Sequence, residues 1–290
     1  MAVTQSTQPS SPAALCGTLL VLASAFLFAL KAIVIKSAFA AVPAFDGVTL
    51  LALRMLTALP FYLLLVWHSP PPPQPLRRQD WGLLLLAGLL GYYLASILDF
   101  IGLQYISASL ERLILFLYPT LTVLITAAVA RQPVRPATRL AIVLSYGGTV
   151  LVMLGEGGQH LNPPGLWLGS ALVFAAAVAY ALYLALTPTL IGRFGSLRLN
   201  GLSMSVACVA ALLHFALHQS APWPFLQQLP LVGWGYGLAL GVFATVLPTV
   251  FLMMGIERIG PARAALLSSG GPILTLVLAV AILGERLNGL

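Results

Sequence analysis

Five charged side chains fall inside or at the edge of long apolar runs: Lys31, Arg54, Asp99, Glu111 and Arg112. A charge at membrane depth is costly unless it is paired or hydrated, which makes each of them a candidate for a substrate or ion pathway. Asp99 has the chemistry to meet a substrate ammonium or carry a proton. It is otherwise a helix-end residue in water or a partner for Arg112. Lys31 has the charge to bind a carboxylate, or a long stem to carry its ammonium to the headgroups. Arg54 cannot shed its charge and needs water, a partner or backbone carbonyls. Glu111 and Arg112 are adjacent, so they point to different sides of one helix, one toward the bundle and one toward an interface. Tyrosines inside the spans offer a ring and a hydrogen-bonding tip: Tyr92, Tyr93, Tyr118, Tyr180 and Tyr183. Tyr180 and Tyr183 share a helix face at i, i+3 spacing. Pro119, Pro248 and Pro272 fall within predicted helices and are candidate hinges, since each removes an intrahelical hydrogen bond.

The elements that must position these residues are long and apolar. Of 290 residues, 60% are hydrophobic and 7% are charged. That composition excludes a water-soluble domain, a disordered chain and a disulfide-stapled module. Uninterrupted apolar runs exclude an outer-membrane barrel, whose strands alternate. What remains is an all-α polytopic membrane protein. Apolar runs predict nine helices, at about 14–35, 47–67, 81–101, 109–130, 138–155, 166–189, 199–217, 230–254 and 262–283. The net charge of +7 is dispersed through short loops, not gathered as a nucleic-acid footprint. With the N-terminus inside, nine arginines fall on the cytoplasmic side: Arg77, Arg78, Arg131, Arg135, Arg139, Arg193, Arg198, Arg258 and Arg263. Two or three basic residues fall outside, which orients the chain with a cytoplasmic N-terminus. Arg263 is expected to cap a helix start. Trp67, Trp81, Trp167, Trp223 and Trp234 read as interfacial belt residues, and Lys36 as a snorkelling one. Cys16 and Cys208 read as buried free thiols. His214 and His218 have i, i+4 spacing but no third ligand. No nucleophile constellation, zinc-protease helix, phosphate loop or dinucleotide fingerprint occurs, so the pattern calls for no enzyme, cofactor or metal.

The chain also resembles itself. At an offset of 153, Gly102–Val134 aligns on Gly255–Leu287 with seven identities in 33 positions, Pro119 falling on Pro272. The two copies lie on the fourth and ninth predicted helices. They are five helices apart, an odd offset, so they run in opposite directions, as in inverted-repeat transporters with a midplane site. The first copy feeds a fifth helix. The second stops at Gly284-Glu285-Arg286-Leu287-Asn288-Gly289-Leu290, where a tenth is expected, and the absence reads as a truncation.

The segments Gly102–Ser109 leading to Tyr118-Pro119-Thr120, and Gly260–Leu266 leading to Gly271-Pro272 and ending in Leu283-Gly284-Glu285-Arg286-Leu287, resemble the two repeats of the EamA family in the drug/metabolite transporter superfamily. Lys36, Phe28-Ala29 and Arg54 stand where that family has a lysine, often Trp-Gly, and an arginine. Lys31 departs from the small polar residue usual there, and Arg131–Val134 departs from the closing motif. The resemblance implies a ten-helix fold of two five-helix halves, here 14–155 and 166–290. It implies a secondary transporter in the inner membrane that moves a small metabolite, amino-acid-like and outward, by alternating access. Asp99, Glu111 and Lys31 make proton coupling an expectation. A membrane sensor or a non-transporting fragment is the alternative.

Overall fold

A computed structural model of the chain describes residues 12–72, 74–131, 147, 165–268 and 270–285. The described part is helical, and no strand occurs in it. In chain order the helices are α1 (Pro12–Ala41), α2 (Gly47–His68), α3 (Arg78–Gly102), α4 (Ala108–Ala130), α5 (Leu166–Phe194), α6 (Ser196–His218), α7 (Pro222–Gln228), α8 (Leu231–Ile259), α9 (Pro261–Ser268) and α10 (Gly271–Leu283). Seven of them, α1 to α6 and α8, are long and apolar enough to cross a membrane. The protein is therefore an integral membrane protein. The helix expected at 138–155 lies, but for residue 147, outside the described residues, as do Arg135 and Arg139.

Local chemistry explains the ends. The apolar run of α1 continues past 35 and stops just before Pro43, which disfavours helical backbone at the residue preceding it. The Asp46 carboxylate accepts from the Thr49 N–H at 2.7 Å and starts α2. Prolines after Ser69 end that helix, while Pro60 lies in its interior. Asp80 folds back to accept from the Arg77 N–H at 2.8 Å at the start of α3.

Two of the expected long helices are broken. α4 is interrupted between Ala108–Leu115 and Tyr118–Ala130. The run expected at 262–283 is split into α9 and α10. Pro119 and Pro272 each stand in the first turn of a restarting helix, where a missing N–H costs nothing. They are helix starters rather than hinges inside a helix. Pro248 does lie within α8, just after a π-helical stretch. Adding 153 to the bounds of Ala108–Leu115 gives those of Pro261–Ser268, and adding it to Tyr118 gives Gly271. α3 widens into a π-helix over Leu89–Leu94, and α8 does so over Ala239–Val246.

Glycines set the crossings. α1 packs along the second half of α8, and α3 packs along α5. A Cβ on Gly255 would stand 3.1 Å from the Gly17 carbonyl. A Cβ on Gly102 or Gly169 would stand 3.0 Å from the other's carbonyl. Small residues let backbones approach where lipid supplies no hydrophobic drive. The main buried cluster lies around α1, α2 and α6 and includes Leu50, Met55 and Phe100. Cys208 is buried there, 3.6 Å from the Met55 sulfur. Cys16 differs from expectation: it is exposed, on the outer face of α1 with Leu15 and Leu19.

Candidate functional site

A cavity of about 390 Å³ opens among α1, α2, α3, α4, α5, α6 and α8, where the breaks of α4 and of α9–α10 meet it. Lys31, Arg54, Asp99, Arg112, Tyr92, Tyr118 and Tyr180 reach its wall. The Lys31 ammonium donates to Asp99 Oδ2 at 2.6 Å and stands 3.5 Å from Glu111 Oε1. Glu111 is 0% exposed and Asp99 2%. Asp99 Oδ1 and both Glu111 oxygens have no hydrogen-bond partner among the described residues. Asp99 therefore pairs with Lys31, not with Arg112, and it is not a helix-end residue in water. Lys31 does not snorkel, because its nitrogen is held by two carboxylates. Both Glu111 and Arg112 point inward, one behind the cavity wall and one on it. At one turn per 3.6 residues, neighbours diverge by only about 100°, which a site enclosed by several helices can receive.

Arg54 is buried and committed. Its Nε donates to Thr245 Oγ1 at 2.8 Å and its Nη1 to Ser96 Oγ at 3.3 Å. Its guanidinium carbon stands 5.4 Å from the Phe100 ring centre, a cation–π geometry. Thr245 can accept because its own proton goes to the Leu240 carbonyl at 2.7 Å, five residues back in the π-helical stretch. The corresponding stretch in α3 presents Tyr92, whose position is 153 residues before Thr245. π-helical turns re-aim side chains and recur at functional sites.

The tyrosines form one connected wall. The Tyr92 hydroxyl donates to Asn200 Oδ1 at 3.1 Å and lies 3.0 Å from the Tyr183 hydroxyl. Tyr118 meets Tyr180 edge-on with centres 5.0 Å apart, and Tyr180 lies 5.7 Å from Tyr183. Tyr183 stands behind the wall rather than on it.

Several partners carry little signal in sequence. Lys36 does not extend freely to the headgroups; its nitrogen donates to the Leu103 and Ile106 carbonyls at 3.2 and 3.0 Å. Glu285 accepts from the Ala108 N–H, the Ser109 N–H and the Ser109 hydroxyl at 2.8, 3.1 and 2.6 Å. A carboxylate at a helix start satisfies orphan donors and favours the dipole, so the closing acidic residue ties the chain after α10 to the start of α4. His214 meets the Tyr93 hydroxyl at 2.8 Å and His218 meets Asp46 at 2.8 Å. Arg263 is exposed in the first turn of α9.

Crossing helices around a polar, aromatic-walled cavity, with broken helices at its edge, define a polytopic helical membrane protein with a cavity between its spans. The chain belongs to the EamA-like transporter family, which matches residues 15–154 and again residues 167–290. Proteins of this family are named as transporters, not enzymes, and the general role of this chain is membrane transport of a small molecule. The uncharacterized transporter YcbK of Bacillus subtilis is 33% identical over 95% of this chain and 88% of its own length. YyaM of the same organism, also an uncharacterized transporter, is 24% identical over 78% and 73%. The aromatic amino acid exporter YddG of Ancylobacter novellus is 26% identical over 70% and 69%. A solved crystal structure at 22% identity shares the fold with a TM-score of 0.58, over 91% of this chain and 88% of that one.

Proposed function

We propose that this chain is a secondary transporter of the cytoplasmic membrane that exports a small amphipathic, amino-acid-like metabolite by alternating access. The observation that carries the reading is the Lys31–Asp99–Glu111 cluster beside the cavity. Two carboxylates there share one ammonium. The cluster holds one negative charge beyond what it neutralises, in surroundings where such a charge is expensive. One proton balances it. That makes the cluster the proton-coupling group, and Arg54 the fixed post that holds α2 to α3 and α8. The tyrosine wall suits the apolar body of an amphipathic metabolite, and the name of the YddG relative agrees with that chemistry.

The architecture we infer is an inverted repeat of two five-helix halves, 14–155 and 166–290, in a ten-helix fold. The shared offset of 153 in the helix breaks supports it. So does the pairing of α1 with α8 and of α5 with α3, each across a pair of glycines. The cytoplasmic N-terminus rests on the nine arginines of the inside loops. Flux of pooled labelled amino acids and small metabolites through proteoliposomes, with and without a pH gradient, tests the function. Saturable flux that responds to the gradient is expected. Absence of flux from folded protein across the screen overturns the reading.

A further inference from the structure

Three cations reach the cavity, and two are already engaged. Lys31 is held by Asp99 and Glu111, while Arg54 is bound to Thr245 and Ser96 and lies over Phe100. Arg112 is different. No carboxylate oxygen among the described residues lies within 4.0 Å of its guanidinium, and its buried Nε has no hydrogen-bond partner among them. With Lys31, Arg54 and Arg112 against Asp99 and Glu111, the cavity carries one surplus positive charge.

The surroundings of Arg112 are built for an anion. Gly271 lies against it, and a Cβ there would stand 3.1 Å from Arg112 Nη2. Gly271 also reaches the cavity wall and opens the 13-residue α10. The first turn of a helix is the positive end of its dipole, although Pro272 removes one of the N–H donors here. Beside this seat, Phe116 and Tyr118 meet edge-on at 6.2 Å, and Tyr180 follows at 5.0 Å from Tyr118. A charged end and an aromatic wall therefore adjoin in one cavity of about 390 Å³.

We infer that Arg112, at the start of α10, is the seat for a substrate carboxylate, so that the transported molecule is a small organic acid or amino acid whose apolar body lies against Tyr118 and Tyr180. The inference rests on the transporter reading and sharpens it to a substrate class. Guanidinium and carboxylate match in planar, two-point geometry. An ammonium-only molecule gains nothing from this seat and meets its positive charge.

The test is equilibrium binding to the full chain in lipid nanodiscs, using three labelled probes that share one ring. These are 3-phenylpropionate, phenylalanine and phenethylamine, which carry a carboxylate, both groups and an ammonium. The two acids are expected to bind and the amine to bind at least about tenfold more weakly, the scale of one charge-assisted hydrogen bond. Arg112→Gln is expected to lower acid binding by at least about tenfold, and Arg112→Lys by less. If Arg112→Gln does not fold, the ranking of the three probes on the unaltered chain decides. Equal or tighter binding of the amine, acid binding that survives Arg112→Gln, or failure of all three probes to bind overturns the inference. The proteoliposome flux screen reads the transporter role separately, so loss of one does not mimic loss of the other.

Discussion

The break in α4 and the break between α9 and α10 fall at matching positions of the chain and carry different side chains. Each interrupts an apolar run at positions 153 residues apart, and each restarts with a proline in its first turn. The first copy bears Glu111, Arg112 and Tyr118. The second bears Ala264, Ala265 and Gly271 at the matching positions. The same asymmetry holds elsewhere: Lys31, Arg54 and Asp99 correspond to Leu184, Ala207 and Leu252. One half supplies the charges and the other supplies hydroxyls, amides and room. Thr245 accepts from Arg54, Asn200 accepts from Tyr92, and Gly271 lets Arg112 approach. A repeated scaffold can thus supply two similar halves, while the chemistry concentrates in one of them.

The comparison breaks most visibly at Lys31. Lys31→Met leaves two buried carboxylates without their cation and is expected to destabilise the protein by about 3–5 kcal/mol. Leu184→Met at the matching position keeps volume and polarity, and is expected to cost less than about 1.5 kcal/mol. Chemical unfolding of the two variants in detergent measures the gap, and equal losses would contradict the asymmetry.

The π-helical stretches of α3 and α8 offer a finer comparison. In α3, a Cβ added to Gly91 meets the Tyr183 side chain, its Cβ at 2.7 Å. In α8, a Cβ added to Gly241 meets Thr57 and stands 2.6 Å from the Arg54 carbonyl, which is backbone and cannot yield. The Tyr183 atoms met by Gly91 are the root of a buried ring and yield little more, so Gly241→Ala and Gly91→Ala are each expected to lose about 1–3 kcal/mol. Thermal unfolding in detergent measures both.

The smallest effect lies outside the spans, at Asp46. Burial alone would raise its carboxyl, but hydrogen bonds from Thr49 and the contact with His218 more than reverse this and hold it below the ordinary 3.8. A depressed carboxylate contributes stability that is fully present above its ordinary value and is lost as pH falls through the lowered one. Asp46→Ala removes the cap of α2 and is expected to cost about 1 kcal/mol at neutral pH. The difference from the unaltered chain should close as the pH falls below 3.8, which unfolding midpoints at a series of pH values will read.

Much of this was legible in the apolar runs, because a span must be apolar over a fixed length whatever its partners are. The charges at depth were legible for the converse reason. The break at Phe116–Leu117 was not, since apolar residues continue through it, whereas the break before Gly271 is marked by the turn-forming run Ser268-Ser269-Gly270-Gly271-Pro272, which the reading of one long apolar helix passed over. Pairing across 68 positions, as between Lys31 and Asp99, leaves no local pattern, and adjacency in sequence suggested the wrong partner, Arg112. Ser96, Asn200 and Thr245 escaped notice because single uncharged polar residues are ordinary in spans. The offset that aligned Pro119 with Pro272 also aligns Tyr92 with Thr245, and was the available signal for the latter. Glu285 read as a family marker, but its bonds to Ala108 and Ser109 give it a structural role as a helix cap.

The central claim is that the Lys31–Asp99–Glu111 cluster couples transport to protons. It is tested most directly by gradient-driven flux of a substrate found in the proteoliposome screen, compared between the unaltered chain and Asp99→Asn. The amide keeps the shape and removes the charge. We expect gradient-dependent flux to fall at least about a hundredfold, the scale of losing one buried charge-assisted pair, with substrate binding at Arg112 retained. Flux that still follows the gradient in Asp99→Asn would contradict the account.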